Sequence, residues 1–344
     1  MPPQLKNQRF LIFELNWLGD IIFSLPLIEA LKKGCVGARV TCIVVPRYKK
    51  ILEKCVLVDG IIELSDRRGM GSLWEKLLTV LKISGKFDVC FLLKPSKSKS
   101  LMALAAGIPR RVGFTGKKYS LTDTVEMDLT AIHRVDSLVS LAFVMGIGPG
   151  DNRYSLKISN ADLCLALDLL ETISPGLQSY VAIHPGGNWG AKRWDKENFV
   201  FLIKRILEKY SDIKVFITGA PDDSPLAELI RGGVNDPRCY NIAGKTGLDT
   251  LVSLFKLSKA VISADSGPLH LASAAGADTV SLFGPTSPLV TGPRGKGRNI
   301  VISHDVDCEI PCYETICPKN FGCMRAIQVE EVFGAVVEII GERS

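Results

Sequence analysis

A chain of 344 residues, 47% hydrophobic and 23% charged, has the composition of an ordinary globular protein, and at roughly 100–200 residues per domain it has length for two, which excludes a disordered or fibrous chain. The net charge of +6 sits in the first half, where residues 1–175 hold 24 Lys and Arg against 17 Asp and Glu, and residues 47–118 alone hold 16 against 6. That half is expected to meet something anionic. No aromatics are interleaved with the basic residues as a base-stacking surface requires, so nucleic acid is set aside; an anionic lipid or sugar acid fits, as does a merely solvated surface.

Along the chain, Arg9–Leu15 reads as a strand and Asp20–Lys33 as a helix, with Pro26 expected to interrupt it after its first turn. The apolar stretch Phe10–Leu31 is broken by Glu14, Asp20 and Glu29, which argues against a signal peptide or membrane span and for a cytoplasmic protein. Strands follow at Arg39–Val45, Gly60–Leu64 and Phe87–Leu93, with helices at Leu73–Ile83 and Ser100–Ala106. A Gly/Pro break at Gly146–Asp151, an extended piece at Tyr154–Ile158 and a helix at Asp162–Thr172 lead to Ser174–Gly176, where the domain boundary is placed: residues 1–175, then 176–326. The second series has strands at Tyr180–His184, Ile213–Thr218, Ala260–Ala264 and Thr279–Phe283, and helices at Asn198–Tyr210, Pro225–Arg231, Leu248–Leu257 and Leu269–Ala275. A last helix, Gln328–Ile340 in the tail 327–344, is expected to pack back on the first lobe. The alternation predicts an α/β chain of two doubly wound, Rossmann-like lobes with a cleft between them.

In such sheets ligands bind beyond the carboxyl ends of strands, so the loops that follow strands are the ones to read. Asn16–Asp20 follows the first strand; Gly19 permits a tight turn, and Asp20 is either a helix cap or a general base held charged by the helix N-terminus. No GxGxxG follows that strand, which weakens a dinucleotide-dehydrogenase reading. In the second lobe, His184–Trp194 combines Gly186 and Gly187 with Lys192 and Arg193 before a helix, which suits a pyrophosphate; the plainer reading is a basic loop anchored by Trp194. Asp265, Ser266 and Gly267 lie between a strand and a helix with His270 one turn in, as helix caps or as a phosphate-holding turn. Asp222 is a candidate for ribose hydroxyls, and Gly244 belongs to a second Gly-containing loop; both are equally readable as plain turns. Arg47, Lys94, Lys97, Arg110, Arg111 and Lys117 are the candidates for holding an anionic acceptor.

Ten cysteines are present. Cys35, Cys42, Cys55, Cys90, Cys164 and Cys239 are scattered and read as small reduced hydrophobes. Cys308, Cys312, Cys317 and Cys323 cluster, and a structural metal, labile disulfides or free thiols all remain open.

Taken together, NWLGDIIFSLP at 16–26, HPGGNWGAKRW at 184–194, TGAPDD at 218–223, NIAGKTGL at 241–248, ADSGPLHLASAAG at 264–276 and SLFGPTSP at 281–288 resemble glycosyltransferase family 9, the ADP-heptose:lipopolysaccharide heptosyltransferases. The segment from Ala131 through His133, Arg134 and Asp136 resembles the family's acceptor-lobe helix. The resemblance implies a GT-B fold and an inverting transfer of heptose from ADP-heptose to the inner core, with no cofactor required for catalysis. By motif match it implies Asp20 as base, Lys192 as phosphate-binding residue, and a donor site of Gly186, Gly187, Asn188, Lys192, Asp222, Gly244, Asp265, Ser266, Gly267 and His270. The partners implied are the nucleotide-sugar donor and an anionic glycolipid at the membrane surface, with the protein peripheral on the inner membrane. The NWLGD form leans toward the second heptosyltransferase, and the Cys-rich tail departs from the best-known enterobacterial members. A family member with another sugar or glycan acceptor, and a non-catalytic nucleotide-sugar-binding protein, are the rival readings.

Overall fold

Strand β1 (Arg9–Phe13) is apolar at every position after its first and buried there, as a strand covered on both faces must be. The computed structural model describes residues 5–66, 70–116, 120–126, 132–177, 179–187, 189–312, 314 and 317–341. It divides into two units, Met1–Lys157 and Ile158–Ser344.

In the first unit β1 is followed by α1 (Leu18–Gly34), β2 (Arg39–Val44), α2 (Lys49–Glu53), β3 (Gly60–Glu63), α3 (Met70–Ile83), β4 (Val89–Leu92), α4 (Lys97–Ala105), β5 (Arg110–Phe114), β6 (Asp123–Val125) and α5 (Arg134–Ser140). The strands are all parallel, in the order β3-β2-β1-β4-β5-β6. The chain leaves β1 in one direction and resumes at β4 in the other, so the switch point lies between β1 and β4. Right-handed crossovers put α1 on one face and α3 and α4 on the other. On the latter face Leu11, Phe13, Ile43 and Leu92 pack with Ile83, Met102, Ala103 and Ala106. Helix α1 is buried almost all round and runs unbroken through Pro26, contrary to the expected interruption. It packs along α5.

The second unit runs α6 (Asn160–Ile173), β7 (Ser179–His184), α7 (Lys196–Lys209), β8 (Ile213–Ile217), α8 (Ser224–Val234), β9 (Cys239–Asn241), α9 (Leu248–Leu257), β10 (Ala260–Ala264), α10 (Gly267–Ala274), β11 (Thr279–Phe283), α11 (Pro288–Thr291), β12 (Asn299–Ser303), α12 (Gly322–Arg325) and α13 (Val329–Gly341). Its sheet is also wholly parallel, ordered β12-β11-β10-β7-β8-β9, with its switch point between β7 and β10. Helix α7 buries Phe199, Leu202, Ile203, Ile206 and Leu207, the stripe that helical spacing requires.

Two placements differ from the sequence-based expectation. Helix α6 belongs to the second unit, which moves the boundary from residues 175/176 to 157/158. A reciprocal pair of bonds between Ser159 and Asp162, at 3.2 and 3.1 Å, starts it, and Ala166 and Leu170 pack with Tyr180, Phe216 and Leu254. Helix α13, expected to return to the first lobe, packs on α7 instead: Val332, Ala335, Val336, Ile339 and Ile340 join the core that holds Leu202, Ile206 and Val280. An apolar stripe of that width is worth roughly 1.5–3 kcal/mol for each fully buried large side chain, which fixes the helix there. Among the described residues no helix is long and apolar enough to cross a membrane.

Candidate active site

The loops after β7 and β10 flank the switch point of the second sheet, and a chain of charge joins them. The Lys192 ammonium donates to Asp265 Oδ2 at 2.6 Å, and His270 Nε2 lies 3.3 Å from Asp265 Oδ1. Asp265 is only 5% exposed. Burial alone pushes its carboxyl up, but the hydrogen bond from His270 and the Lys192 charge outweigh it and hold Asp265 well below the usual carboxylate range. An ionised carboxylate only accepts, so His270 carries its proton on Nε2. Lys192 also lies over the Trp189 ring, 5.5 Å from its centroid.

Ser266 is the N-cap of α10, yet its side chain does not cap the helix; its hydroxyl pairs with that of Ser263 at 3.0 Å. Among the described residues the first-turn amides, at Gly267 and Leu269, therefore have no side-chain acceptor, at a helix end where an anion is stabilised. Upstream, Trp194 fixes the β7–α7 loop by donating from Nε1 to the Ile327 carbonyl at 3.0 Å, and Arg193 is taken up by the Gly187 carbonyl at 2.6 and 3.0 Å. His184 closes β7. Burial lowers its pKa to about 4, so it is neutral at pH 7. Thr218 Oγ1 donates to the Ile183 carbonyl at 3.2 Å and so accepts from His184 Nδ1 at 3.1 Å.

The glycines divide. A Cβ on Gly186 would come within 2.6 Å of the Asp223 carboxyl, and one on Gly244, whose φ is +76°, within 3.0 Å of Pro221 Cα. Both are therefore needed to pack one loop against another. A Cβ on Gly187, by contrast, would meet no described atom within 4 Å. Asp222 is exposed, whereas its neighbour Asp223 accepts from the Ala220 amide at 2.9 Å. Asn188 and Lys117 lie outside the described residues, as does Ala131.

In the first unit Asp20 is not the N-cap residue of α1. Trp17 is the N-cap, and Asp20 lies inside the first turn, partly exposed at the carboxyl end of β1. Close by, a cavity of about 220 Å³ opens beyond the ends of β1, β2 and β3 and beside the start of α4, lined by Glu14, Asn16, Ser65, Asp66, Lys76, Ser96, Ser98 and Lys99 among others. Glu14 is 1% exposed. Burial raises its pKa to about 7 against the opposing pull of Ser24, which donates to Oε1 at 3.0 Å. Among the described residues its Oε2 has no hydrogen-bond partner. Lys99 donates to the Glu14 carbonyl at 2.8 Å, and burial lowers its own pKa.

The acceptor candidates separate by strand end. Lys94 follows β4 and Lys97 opens α4, at the carboxyl edge where ligands bind. Arg47 is on that edge too, bonded to the Asn16 carbonyl and to Asp66, each at 3.0 Å. Arg110 and Arg111 begin β5, at the opposite edge, and are consumed by structure. Arg110 holds Asp123 and the Val144 carbonyl; Arg111 holds the carbonyls of Ser120 and Ile108, both at 2.6 Å. His133 caps α5, accepting from the Val135 amide at 3.1 Å, and Asp136 accepts from Asn152. Sequence reasoning missed Glu14, Lys99, Ser96 and Ser98. Only the placing of an acid at the end of an apolar strand signalled the first.

Of the scattered cysteines Cys35, Cys42, Cys55, Cys90 and Cys239 are buried, and Cys164 is exposed on α6. Cys308, Cys312, Cys317 and Cys323 are free thiols, and among the described residues no three His, Cys, Asp or Glu side chains are grouped to hold a metal. The Cys312 amide donates to the Pro285 carbonyl at 2.7 Å and the Phe321 amide to Cys317 Sγ at 3.2 Å.

The family described as "Glycosyltransferase family 9 (heptosyltransferase)" matches residues 74–319. Lipopolysaccharide heptosyltransferase 2 of Escherichia coli K12 is 27% identical over 323 residues, covering 85% of this chain and 87% of that one. Among solved structures, a family 9 glycosyltransferase from Veillonella parvula superposes with a TM-score of 0.85 at 21% identity, over 98% of this chain and 99% of that one. The ADP-heptose LPS heptosyltransferase II of E. coli gives a TM-score of 0.81 at 23% identity, over 97% and 99%. The fold is the two-lobed α/β class GT-B that these structures share.

Proposed function

The chain belongs to glycosyltransferase family 9, and from that premise we propose that it transfers heptose from ADP-heptose to the inner core of lipopolysaccharide, by an inverting displacement that needs no metal. The observation that carries the reading is the Lys192–Asp265–His270 chain beside the uncapped start of α10, at the switch point of the second sheet. It supplies a cation and backbone amides to a diphosphate. The donor site is that loop set: Gly186, Gly187, Asn188 and Lys192 after β7, Asp222 and Gly244 toward the ribose, and Asp265, Ser266, Gly267 and His270 after β10.

In the reaction an acceptor hydroxyl attacks the anomeric carbon of the donor as its bond to the diphosphate oxygen breaks. Asp20 takes the hydroxyl proton; it sits in the first turn of α1, where a helix dipole favours a carboxylate. Lys192 and the Gly267 amide take up the charge that grows on the departing ADP. The acceptor is an anionic glycolipid at the membrane surface, met by Lys94, Lys97 and Arg47 and by the cavity of Glu14 and Lys99. On this reading the enzyme is cytoplasmic and peripheral on the inner membrane. The decisive experiment is a donor screen: turnover with ADP-heptose, and none with UDP- or GDP-sugars, is expected, while preference for another nucleotide sugar would replace the heptosyl assignment.

A further inference from the structure

Helix α3 packs inward through Val80 and Ile83 at its end, but polar side chains fill the rest of its inner side. Its buried side carries Ser72 and Thr79, with Glu75 accepting from the Ser65 amide at 2.7 Å and from the Ser65 hydroxyl. Its outward side presents Leu73, Trp74, Leu77, Leu78 and Leu81, each between 47% and 66% exposed. Positions 73, 77 and 81, and 74 and 78, repeat every four residues, so these side chains form one continuous stripe. Helix α4, packed alongside, adds exposed Leu101 and Leu104. A helix on the surface of a soluble protein normally has the reverse arrangement, and contiguous apolar surface of this kind marks an interaction site.

Charge indicates what covers it. Both helices cross over within one parallel sheet, so they run in the same direction. Lys82 and Lys86 stand at one end of the pair, Lys94 and Lys97 at the other. Among the described residues none of these four forms an ion pair, whereas Arg9, Lys49 and Arg110 of the same unit are paired with Asp88, Glu63 and Asp123. A second copy seated on the stripe would bring the lysines against their own kind. An apolar stripe rimmed by uncompensated cations matches acidic headgroups above acyl chains.

We propose that the α3–α4 face docks on an anionic lipid bilayer, with Trp74 and the leucines entering the interface and the lysines meeting the headgroups. The proposal rests on the reading of a lipid-borne acceptor only for the reason the protein visits a membrane. Its test therefore contains neither acceptor nor donor, and the two can fail separately. The full chain is mixed with vesicles of phosphatidylcholine alone or with phosphatidylglycerol, and binding is read by sedimentation and Trp fluorescence. Binding to the phosphatidylglycerol vesicles is expected, with a blue shift that disappears in Trp74→Phe. Leu77→Glu or Leu81→Glu should weaken it by about tenfold or more. Lys82→Gln and Lys86→Gln should each weaken it by about fivefold, and added salt should do likewise. The melting temperature of each variant reports that it is folded. Equal binding to neutral vesicles, no binding to either, or variants that bind like the parent overturn the proposal. So does a dimer in solution that Leu77→Glu dissociates, which would assign the stripe to a second copy.

Discussion

The Lys192 ammonium lies 2.6 Å from the Asp265 carboxylate and thereby ties the loop after β7 to the loop after β10, across the point where the second sheet reverses its strand order. Lys192 is thus held in place before any diphosphate arrives. A charge-assisted contact to phosphate is worth roughly 1.5–3 kcal/mol. Lys192→Ala should weaken ADP binding by about one to two decades. Calorimetry giving the parent affinity would remove Lys192 from the donor site. The same variant should melt at a lower temperature, because Asp265 keeps its burial and loses its strongest cation.

Asp20 is expected to act on the reacting hydroxyl, and Asp20→Asn separates that from a role in the helix. Since Trp17 is the N-cap, the carboxylate acts on α1 from inside its first turn, where interaction with the helix dipole contributes about 0.3–1 kcal/mol. Loss of a general base costs about 10²–10⁴ in rate. The variant should melt close to the parent, bind ADP normally and turn over at least about a hundredfold more slowly. Turnover within a few fold of the parent would send the search for the base elsewhere.

Glu14 makes stability depend on pH in the direction opposite to most carboxylates. Its folded pKa is raised from 4.5 to about 7. Below pH 4.5 it is protonated in both states. Between 4.5 and 7 the unfolded chain ionises first, so stability falls as pH rises, by an amount of order 3 kcal/mol in full. Glu14→Gln should remove this slope and gain most over the parent at pH 8. A melting-temperature difference between variant and parent that is the same at pH 5 and pH 8 would refute it.

His184 has the reverse sign. Its pKa falls from 6.5 to about 4 in the fold, so the unfolded chain takes up the proton first as pH drops through that window, and stability is lost on the acid side. His184→Asn keeps a donor toward Thr218 without a titrating ring. It should flatten the acid limb between pH 6.5 and 4 in a thermal melt series; an unchanged limb would mean that other groups set it.

The two ends of the first sheet predict different losses for residues of equal charge. Lys94→Glu with Lys97→Glu should raise the acceptor KM and its salt dependence while sparing ADP binding. Arg111→Gln should leave that KM alone and lower the melting temperature, since it strands the Ser120 and Ile108 carbonyls. Steady-state kinetics with the reverse pattern would restore Arg111 to the acceptor site.

Much of the frame is legible in the residues. The strands Ala260–Ala264 and Thr279–Phe283 and the helix Leu248–Leu257 have the bounds their periodicity predicts. Strand β5 escapes because it opens on two arginines and contains Gly113, a poor local signal that neighbouring strands override. Tyr154–Ile158, expected as extended, belongs to no strand. Each loop of the donor site is visible as a break after a strand. That Lys192 meets Asp265 is not, because 73 residues separate them and only the sheet order brings them together. Glu14 reads in sequence as an interruption of an apolar run; its cavity exists only once β1, β2, β3 and α4 are assembled.

Helix α6 also decides where this chain can be cut. The Ser174–Gly176 stretch looks like a natural place to begin a fragment of the second half. A piece started there would lose Ala166 and Leu170 and leave Tyr180, Phe216 and Leu254 bare to solvent, a recipe for an insoluble product. A piece started at Ile158 carries the Ser159–Asp162 pair, the complete parallel sheet and the closing helix α13, and is the stretch to express for studying nucleotide binding by the second unit in isolation.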